Sequence, residues 1–166
     1  GTKESEGYGP YDSWLLKLDR YGNKLWDRTF GGDGTDGFGA IQLSSDGRFI
    51  LVVPSSSGVS GNRGLAYPGY PSPWIVVGDV STGAKASESV LLTPFEPDNY
   101  YQVGLSRVAE GFIATGNVNI GSGNYEWKVN RLNADHSLLW EKIIGGTERD
   151  GFRDQTIARD GGILLA

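Results

Sequence analysis

Short apolar runs alternate with turn residues along the chain, and this is the pattern of antiparallel strands rather than helices. The first runs extend from Trp14 to Asp19, Leu25 to Phe30, Phe38 to Leu43 and Phe49 to Val53. Glycine-containing segments separate them, and Asp46-Gly47 predicts a type I′ hairpin turn. We therefore predict that these four runs form one antiparallel meander.

The same pattern returns at an offset of 114 residues, without a gap. The matches include Leu18 with Leu132, Trp26 with Trp140, Gly31-Gly32 with Gly145-Gly146, Asp36-Gly37-Phe38 with Asp150-Gly151-Phe152, and Asp46-Gly47 with Asp160-Gly161. A diverged copy lies between them and opens on Trp74. The chain is therefore predicted to be a single β-repeat domain or fragment with units at approximately 11–58, 70–119 and 124–166. His136 stands where Gly22 would be expected, so the turn of the third unit is predicted to differ.

Composition supports an ordered, turn-rich, all-β chain. Of 166 residues, 26 are glycine and 7 are proline, which interrupt helices, while five tryptophans argue against disorder. A net charge of -5 leaves no basic surplus for nucleic acid. The apolar runs are too short for a membrane-spanning helix, and the absence of cysteine excludes disulfides and thiolate metal sites. We expect neither nucleic-acid binding nor membrane insertion.

The string LDRYGNKLWDRTFGGDGTD, followed by SSDGRFIL, resembles a propeller-type repeat of large secreted and surface proteins of Gram-negative bacteria, many exported by the type IX route. The resemblance is clear in the first and third units and loose in the second, which lacks the Trp of its second strand and the following Gly-Gly. A weaker likeness links Asp19, Gly22 and Trp26 to pyrroloquinoline-quinone propellers, where such residues interlock blades. These resemblances imply a β-propeller and an extracellular or cell-surface location.

Three units imply about three four-stranded blades, fewer than the 4 to 8 of a closed propeller. Ala166 aligns with Val52, inside a strand, so we expect an incomplete ring that is completed by further blades of the same protein or by a second copy. A β-trefoil or β-prism, both of which close with three repeats, is the alternative architecture.

Aromatic residues supply most of the candidate positions. Trp14, Trp74 and Trp127 are predicted to open equivalent strands, and Trp26 and Trp140 are predicted to pack between neighbouring blades. Four tyrosines lie in Gly/Pro-rich loops before the first strand of a unit and are candidates for stacking on a sugar: Tyr8, Tyr11, Tyr67 and Tyr70. The Asp-Gly turns at Gly47 and Gly161 are structural positions of the repeat.

Candidate metal and catalytic positions are sparse. Asp33 and Asp36 in the glycine-rich loop could bind calcium, although Thr147 and Arg149 break this pattern in the third unit. Asp36 and Asp150 are alternatively predicted to accept backbone N–H groups and fix their loops. His136, between Asp135 and Ser137, belongs to no recognisable triad. No spacing selects a glycosidase pair among the remaining carboxylates, which include Asp12, Asp19, Asp27, Asp98 and Asp154.

The sequence thus predicts a binding or scaffold module without catalytic residues and without a cofactor, calcium aside. Adhesion or glycan recognition is the first functional hypothesis, with a surface glycan or protein as partner. The alternatives are a purely structural blade array and, further off, part of a propeller enzyme such as a glycoside hydrolase or quinoprotein.

Overall fold

A computed structural model describes residues 2–37, 39–91, 103–121, 123–148 and 150–166. Within these ranges the chain forms twelve β-strands and no helix. The strands are β1 (Ser13–Leu18), β2 (Lys24–Phe30), β3 (Ala40–Leu43), β4 (Arg48–Ser55), β5 (Ser72–Asp79), β6 (Lys85–Val90), β7 (Val103–Val108), β8 (Gly111–Gly121), β9 (Asn124–Leu132), β10 (Leu138–Ile144), β11 (Gln155–Ile157) and β12 (Ile163–Leu165). The all-β prediction is confirmed. The described part of the chain contains no helix that could cross a lipid bilayer.

The strands form two complete antiparallel sheets and two pairs. The complete sheets run β3-β4-β5-β6 and β7-β8-β9-β10 in spatial order, while β1 pairs only with β2 and β11 only with β12. The prediction that one unit forms one meander is therefore wrong: the first two strands of a unit belong to one sheet and its last two to the next.

The apolar pattern of β4 and β5 explains this shift. Both strands are buried on both faces, from Phe49 to Ser55 and from Ser72 to Gly78. Strands without a polar face must lie in the middle of a covered sheet, so these two pair with each other. Strands β3 and β6, in which no residue is fully buried, take the edges, and the sheets straddle the unit boundaries.

Each face of the β3–β6 sheet contributes to a separate core. One face packs Ile50, Val52 and Ile75 against residues of the β7–β10 sheet, including Leu105 and Phe112. The other packs Phe49 and Trp74 against Phe30 of β2, with ring centroids 6.0 Å and 6.5 Å from that of Phe30. The first strands β3, β7 and β11 contact one another in turn, with β7 in the middle.

The hairpin turn at Asp46-Gly47 is not type I′. Ser44 donates its N–H to the Arg48 carbonyl, and of the residues between them Gly47 alone has positive φ, at 81°. A type I′ turn needs positive φ at both central residues, so the type I′ prediction is wrong. The loop is instead a type I turn closed by a left-handed residue.

The turn of the third unit follows the same pattern, contrary to prediction. Asn133 donates its N–H to the Ser137 carbonyl, as Asp19 does to Asn23 in the first unit. His136 takes the place of Gly22 and adopts φ 69°, which is unusual for a residue with a side chain. The hydrogen bonds of the hairpin therefore hold His136 in a conformation that glycine adopts without strain.

Candidate functional site

Three loops meet at one end of the first unit and form what we call the loop cluster: residues 7–12, 31–36 and 55–63. The Asp36 N–H donates to the Tyr11 carbonyl, and the Ser56 N–H donates to the Thr35 carbonyl. The Asn62 N–H donates to the Gly31 carbonyl. Backbone hydrogen bonds therefore tie all three loops together.

Asp36 is the buried anchor of this cluster. Its Oδ2 accepts the Gly32 N–H at 2.9 Å and the Ser57 hydroxyl at 2.6 Å, and its Oδ1 accepts the Ser55 hydroxyl. In the third unit Asp150 accepts the Gly146 N–H at the same distance of 2.9 Å. The prediction that these two aspartates accept backbone N–H groups and fix their loops is confirmed.

Asp33 lies in the same loop as Asp36 but accepts hydrogen bonds from other donors. Its Oδ1 accepts the Ser60 hydroxyl at 2.6 Å and the Gly58 N–H at 3.2 Å. The Ser60 hydrogen bond, followed by that of Gly58, lowers the pKa of Asp33. No group of three or more His, Asp or Glu residues lies where it could hold a metal within the described ranges. A calcium site at Asp33 and Asp36 stays a prediction. Arg149, which breaks the calcium pattern in the third unit, lies outside the described ranges.

The tyrosines Tyr8 and Tyr11 border the loop cluster with exposed rings. Tyr11 is 71% exposed and Tyr8 is 43% exposed. Asp12 accepts the N–H of Tyr8 at 2.7 Å and that of Gly9 at 3.3 Å through Oδ2, which fixes the backbone between the two rings. Tyr67 is exposed and Tyr70 half-buried on the stretch before β5. Tyr67 and Tyr70 therefore lie outside the loop cluster, which ends at residue 63.

Trp14 and Trp74 are equivalent, but Trp127 is not. Trp14 donates its indole N–H to Asp27 Oδ2 at 2.9 Å, and Trp74 donates to Glu88 Oε2 at 2.8 Å. In the third unit Trp127 pairs with Ile144 as Ser13 pairs with Phe30, so Trp127 occupies the position of Ser13. The prediction of three equivalent tryptophans is wrong for Trp127.

Lys128 takes the position of Trp14 in the third unit. Its Nζ lies 3.2 Å from Glu141 Oε2, and Glu141 corresponds to Asp27. A carboxylate on the second strand thus receives a donor from the first strand in all three units: an indole N–H twice and an ammonium group once. This conserved contact between strands, rather than the tryptophan itself, is what repeats.

Trp26 and Trp140 occupy equivalent register positions in unequal surroundings. Trp26 lies opposite Lys17, and Trp140 lies opposite Arg131. Trp26 packs against Phe49 of the next sheet and donates its indole N–H to the Val80 carbonyl at 3.2 Å, as predicted for a residue between sheets. Trp140 is exposed along with the rest of β10, so the prediction that it packs between neighbouring blades is wrong for Trp140 among the described residues.

His136 makes no hydrogen bond with either sequence neighbour. The Ser137 hydroxyl donates directly to Asp135 Oδ1 at 2.6 Å, whereas the His136 ring lies over Phe112, with centroids 5.7 Å apart. Burial lowers the pKa of His136, and the Asp135 charge opposes that shift. His136 borders a cleft of about 240 Å³ between the two complete sheets, together with Arg48 and Arg107. Asp98 lies outside the described ranges.

Sequence reasoning missed the buried Arg63. Its side chain is enclosed by the loop cluster, and its guanidinium lies 5.6 Å from the Trp74 ring centroid. Its Nε donates to the Leu65 carbonyl at 3.2 Å, but its two terminal nitrogens have no hydrogen-bond partner. Burial lowers the pKa of Arg63, while the charges of Asp36 and Glu88 oppose that shift. Nothing in the sequence distinguishes Arg63 from a surface arginine.

A scan of the chain against protein-family models finds no match, and a search of curated proteins finds none either.

Proposed function

We propose that this chain is a non-catalytic scaffold or binding module of an extracellular or cell-surface protein, built from propeller-type blades. The observation that carries the proposal is the order of the strands around β3, β7 and β11. Each of these strands is the first strand of its sheet, and β7 contacts both of the others. Sheets arranged side by side with their first strands adjacent are what a radial array of blades requires.

The two strand pairs support this proposal because they are complementary. By the repeat, β1 and β2 correspond to β5 and β6, the last two strands of a sheet, whereas β11 and β12 correspond to β3 and β4, the first two. Compared with the four-stranded sheets, the first pair lacks a neighbour on β1 and the second lacks one on β12 among the described residues. Unpaired edges offer rows of N–H and C=O groups to another strand.

The repeat also predicts the register with which these edges would pair. Val76 of β5 lies opposite Leu51 of β4, and these residues correspond to Leu16 and Leu165. We therefore expect Leu16 of one chain to lie opposite Leu165 of another, or of an equivalent strand in further blades. Two chains joined at both edges would contain six complete sheets, within the range of about 4 to 8 for closed propellers.

A mass measurement in solution tests this completion. The Ala166 N–H donates to the Asp154 carbonyl, towards β11. Because successive N–H groups along a strand point to opposite sides, the N–H of Leu165 points to the open edge of β12. A proline there removes only the open-edge donor. We expect the wild-type chain to associate and Leu165→Pro to remain monomeric, with Leu164→Ala, whose side chain is exposed, as the control. A wild-type chain that is monomeric at all concentrations would refute completion by a second copy.

Glycan recognition is the second candidate function, and the exposed ring of Tyr11 favours it. Rigid aromatic rings on a hydrogen-bonded loop offer contact area at low entropic cost. In a glycan array, Tyr11→Ala should lose binding that Tyr21→Ala retains. Tyr21 is a matched control because it is 73% exposed on a hairpin turn outside the loop cluster. If neither the wild-type chain nor its complete assembly binds any glycan, glycan recognition by this module is refuted.

A further inference from the structure

The β3–β6 sheet has a neighbour on each face, and the two interfaces are filled differently. We call its contact with the β1–β2 pair the first interface and its contact with the β7–β10 sheet the second interface. In the first interface, the ring of Trp26 packs against Phe49, with centroids 6.4 Å apart, and its N–H donates to the Val80 carbonyl. The same ring covers Gly83, where an added Cβ atom would lie 2.8 Å from it. An indole therefore fills the first interface beside the turn that joins β5 to β6.

The second interface has no indole at the corresponding place. Trp26 lies opposite Lys17, and the matching pair in the β3–β6 sheet is Ser87 opposite Val77. Val77 packs into the core shared with the β7–β10 sheet, and residues directly opposite each other on paired strands lie on the same face. Ser87 therefore faces the second interface, and its side chain is exposed. A hydroxymethyl group replaces the ring that fills the first interface.

A cleft of about 240 Å³ lies in the second interface, beside the turn that joins β9 to β10. The apolar part of its lining includes Ile50, Val77 and Phe112, which are all buried. Phe112 faces the second interface as Phe49 faces the first. The cleft is smaller than the roughly 300–1,000 Å³ of pockets for drug-sized ligands. Its size and lining therefore suit one small aromatic ring system.

His136 lines this cleft at the position that Gly83 occupies in the first interface. Its backbone has φ 69°, close to the φ of 73° at Gly83, although His136 carries a side chain. Backbone strain of this kind is concentrated at binding and active sites. The imidazole lies over Phe112, with centroids 5.7 Å apart, and so gives Phe112 part of the aromatic cover that Trp26 gives Phe49.

The cleft is also lined by charged side chains of both signs. Asp46 lies 3.4 Å from Arg48, so these two charges largely compensate each other. Arg107 and Glu110, on the hairpin that joins β7 to β8, are exposed and also line the cleft. Neither of these two side chains forms an ion pair or a hydrogen bond within the part of the chain that the structure describes. A ligand with both a carboxylate and an ammonium group would find an unpaired partner for each.

We propose that this cleft binds a free aromatic amino acid of the tryptophan class. The ring packs against Phe112 and His136, as Trp26 packs against Phe49 in the first interface. The carboxylate of the ligand pairs with Arg107, and its ammonium group pairs with Glu110. Both walls of the site belong to four-stranded sheets, so the inference depends neither on glycan binding at the loop cluster nor on completion of the two strand pairs.

Isothermal titration of the wild-type chain with L-tryptophan tests the proposal. We expect saturable binding at one site and no measurable binding of L-alanine, which has the same charges without the ring. N-acetyl-L-tryptophanamide keeps the ring but lacks both charges, so we expect its binding to be weaker by about tenfold. Arg107→Gln should weaken L-tryptophan binding by about tenfold as well. The matched control is Arg20→Gln, an exposed arginine on the turn between β1 and β2, which should leave binding unchanged.

A second variant fills the cleft from within the chain. Ser87→Trp combined with His136→Gly rebuilds the arrangement of Trp26 and Gly83, so we expect a folded protein that melts at the wild-type temperature or above and no longer binds L-tryptophan. Arg107 is exposed, so Arg107→Gln tests the site without disturbing the core. The absence of L-tryptophan binding by the wild-type chain would overturn the proposal. Equal binding of L-alanine, or unchanged affinity in Arg107→Gln or in the folded double variant, would overturn it too.

Discussion

Replacing Gly47 by valine tests the hairpin geometry that organises the whole repeat. Gly47 has φ 81° and open space around the position of a Cβ atom, so the only native-state cost of a side chain is the left-handed backbone. That conformation costs an L-residue about 1–2 kcal/mol. Gly58→Val is the matched control, because Gly58 also faces open space but has no positive φ.

The comparison removes the contribution of the unfolded state. Both substitutions restrict the unfolded chain to a similar extent, so their difference in free energy of unfolding isolates the backbone strain at Gly47. We expect Gly47→Val to be less stable than Gly58→Val by about 1–2 kcal/mol, or by about 2–8 °C in Tm for a chain of this size. Urea denaturation followed by tryptophan fluorescence measures the difference. Equal midpoints for the two variants would refute the left-handed turn, and Gly161→Val, at φ 86°, should repeat the effect in its own hairpin.

Three further predictions follow from buried groups. Burial lowers the pKa of His136 from 6.5, so the unfolded state binds more protons than the folded state. The free energy of unfolding should therefore fall as the pH drops through about 6.5 and level off below the folded-state pKa. Urea titrations at several pH values should show this dependence in the wild type and not in His136→Asn. The hydrogen bond from the Glu4 backbone N–H is the largest cause that lowers the pKa of Asp27 from 3.8. The charged carboxylate therefore stabilises the folded state above about pH 3.8, and this stabilisation is lost as the pH falls below that value. In an acid titration, Asp27→Asn should lose less stability than the wild type. Phe30→Ala should cost about 3–5 kcal/mol in chemical denaturation because it opens a cavity beside Trp74, whereas the exposed Tyr21→Ala should stay within about 0.5 kcal/mol.

Much of the local structure could be predicted because its causes lie close together in the chain. A glycine at the left-handed position and apolar runs on either side indicate a hairpin without reference to any other part of the molecule. The 114-residue offset correctly paired Asp36 with Asp150, and they accept equivalent backbone N–H groups, from Gly32 and Gly146. His136 shows the limit of this reasoning, because hydrogen bonds across the hairpin impose φ 69° on a residue whose own preference is different.

The candidate site was less predictable, since its important groups come from separate loops. Asp12 matches Glu126 at the same offset, as Asp36 matches Asp150, so the sequence contained a signal for two carboxylates in each of these units. Their position beside Gly31 and Gly145 is visible only in three dimensions. Arg63 carries no sequence signal, because its burial depends on loops that close over it from residues far away in the chain.

The sequence by itself determined an all-β chain, its strand-forming runs, the positions of its turns and the repeat that relates them, since each of these follows from side-chain periodicity and local backbone preference. Only the tertiary structure decided which hairpins share a sheet. Strands β4 and β5 pair because both need cover on two faces, and that requirement can be met only when distant segments pack together. The same long-range packing made a buried cation of Arg63.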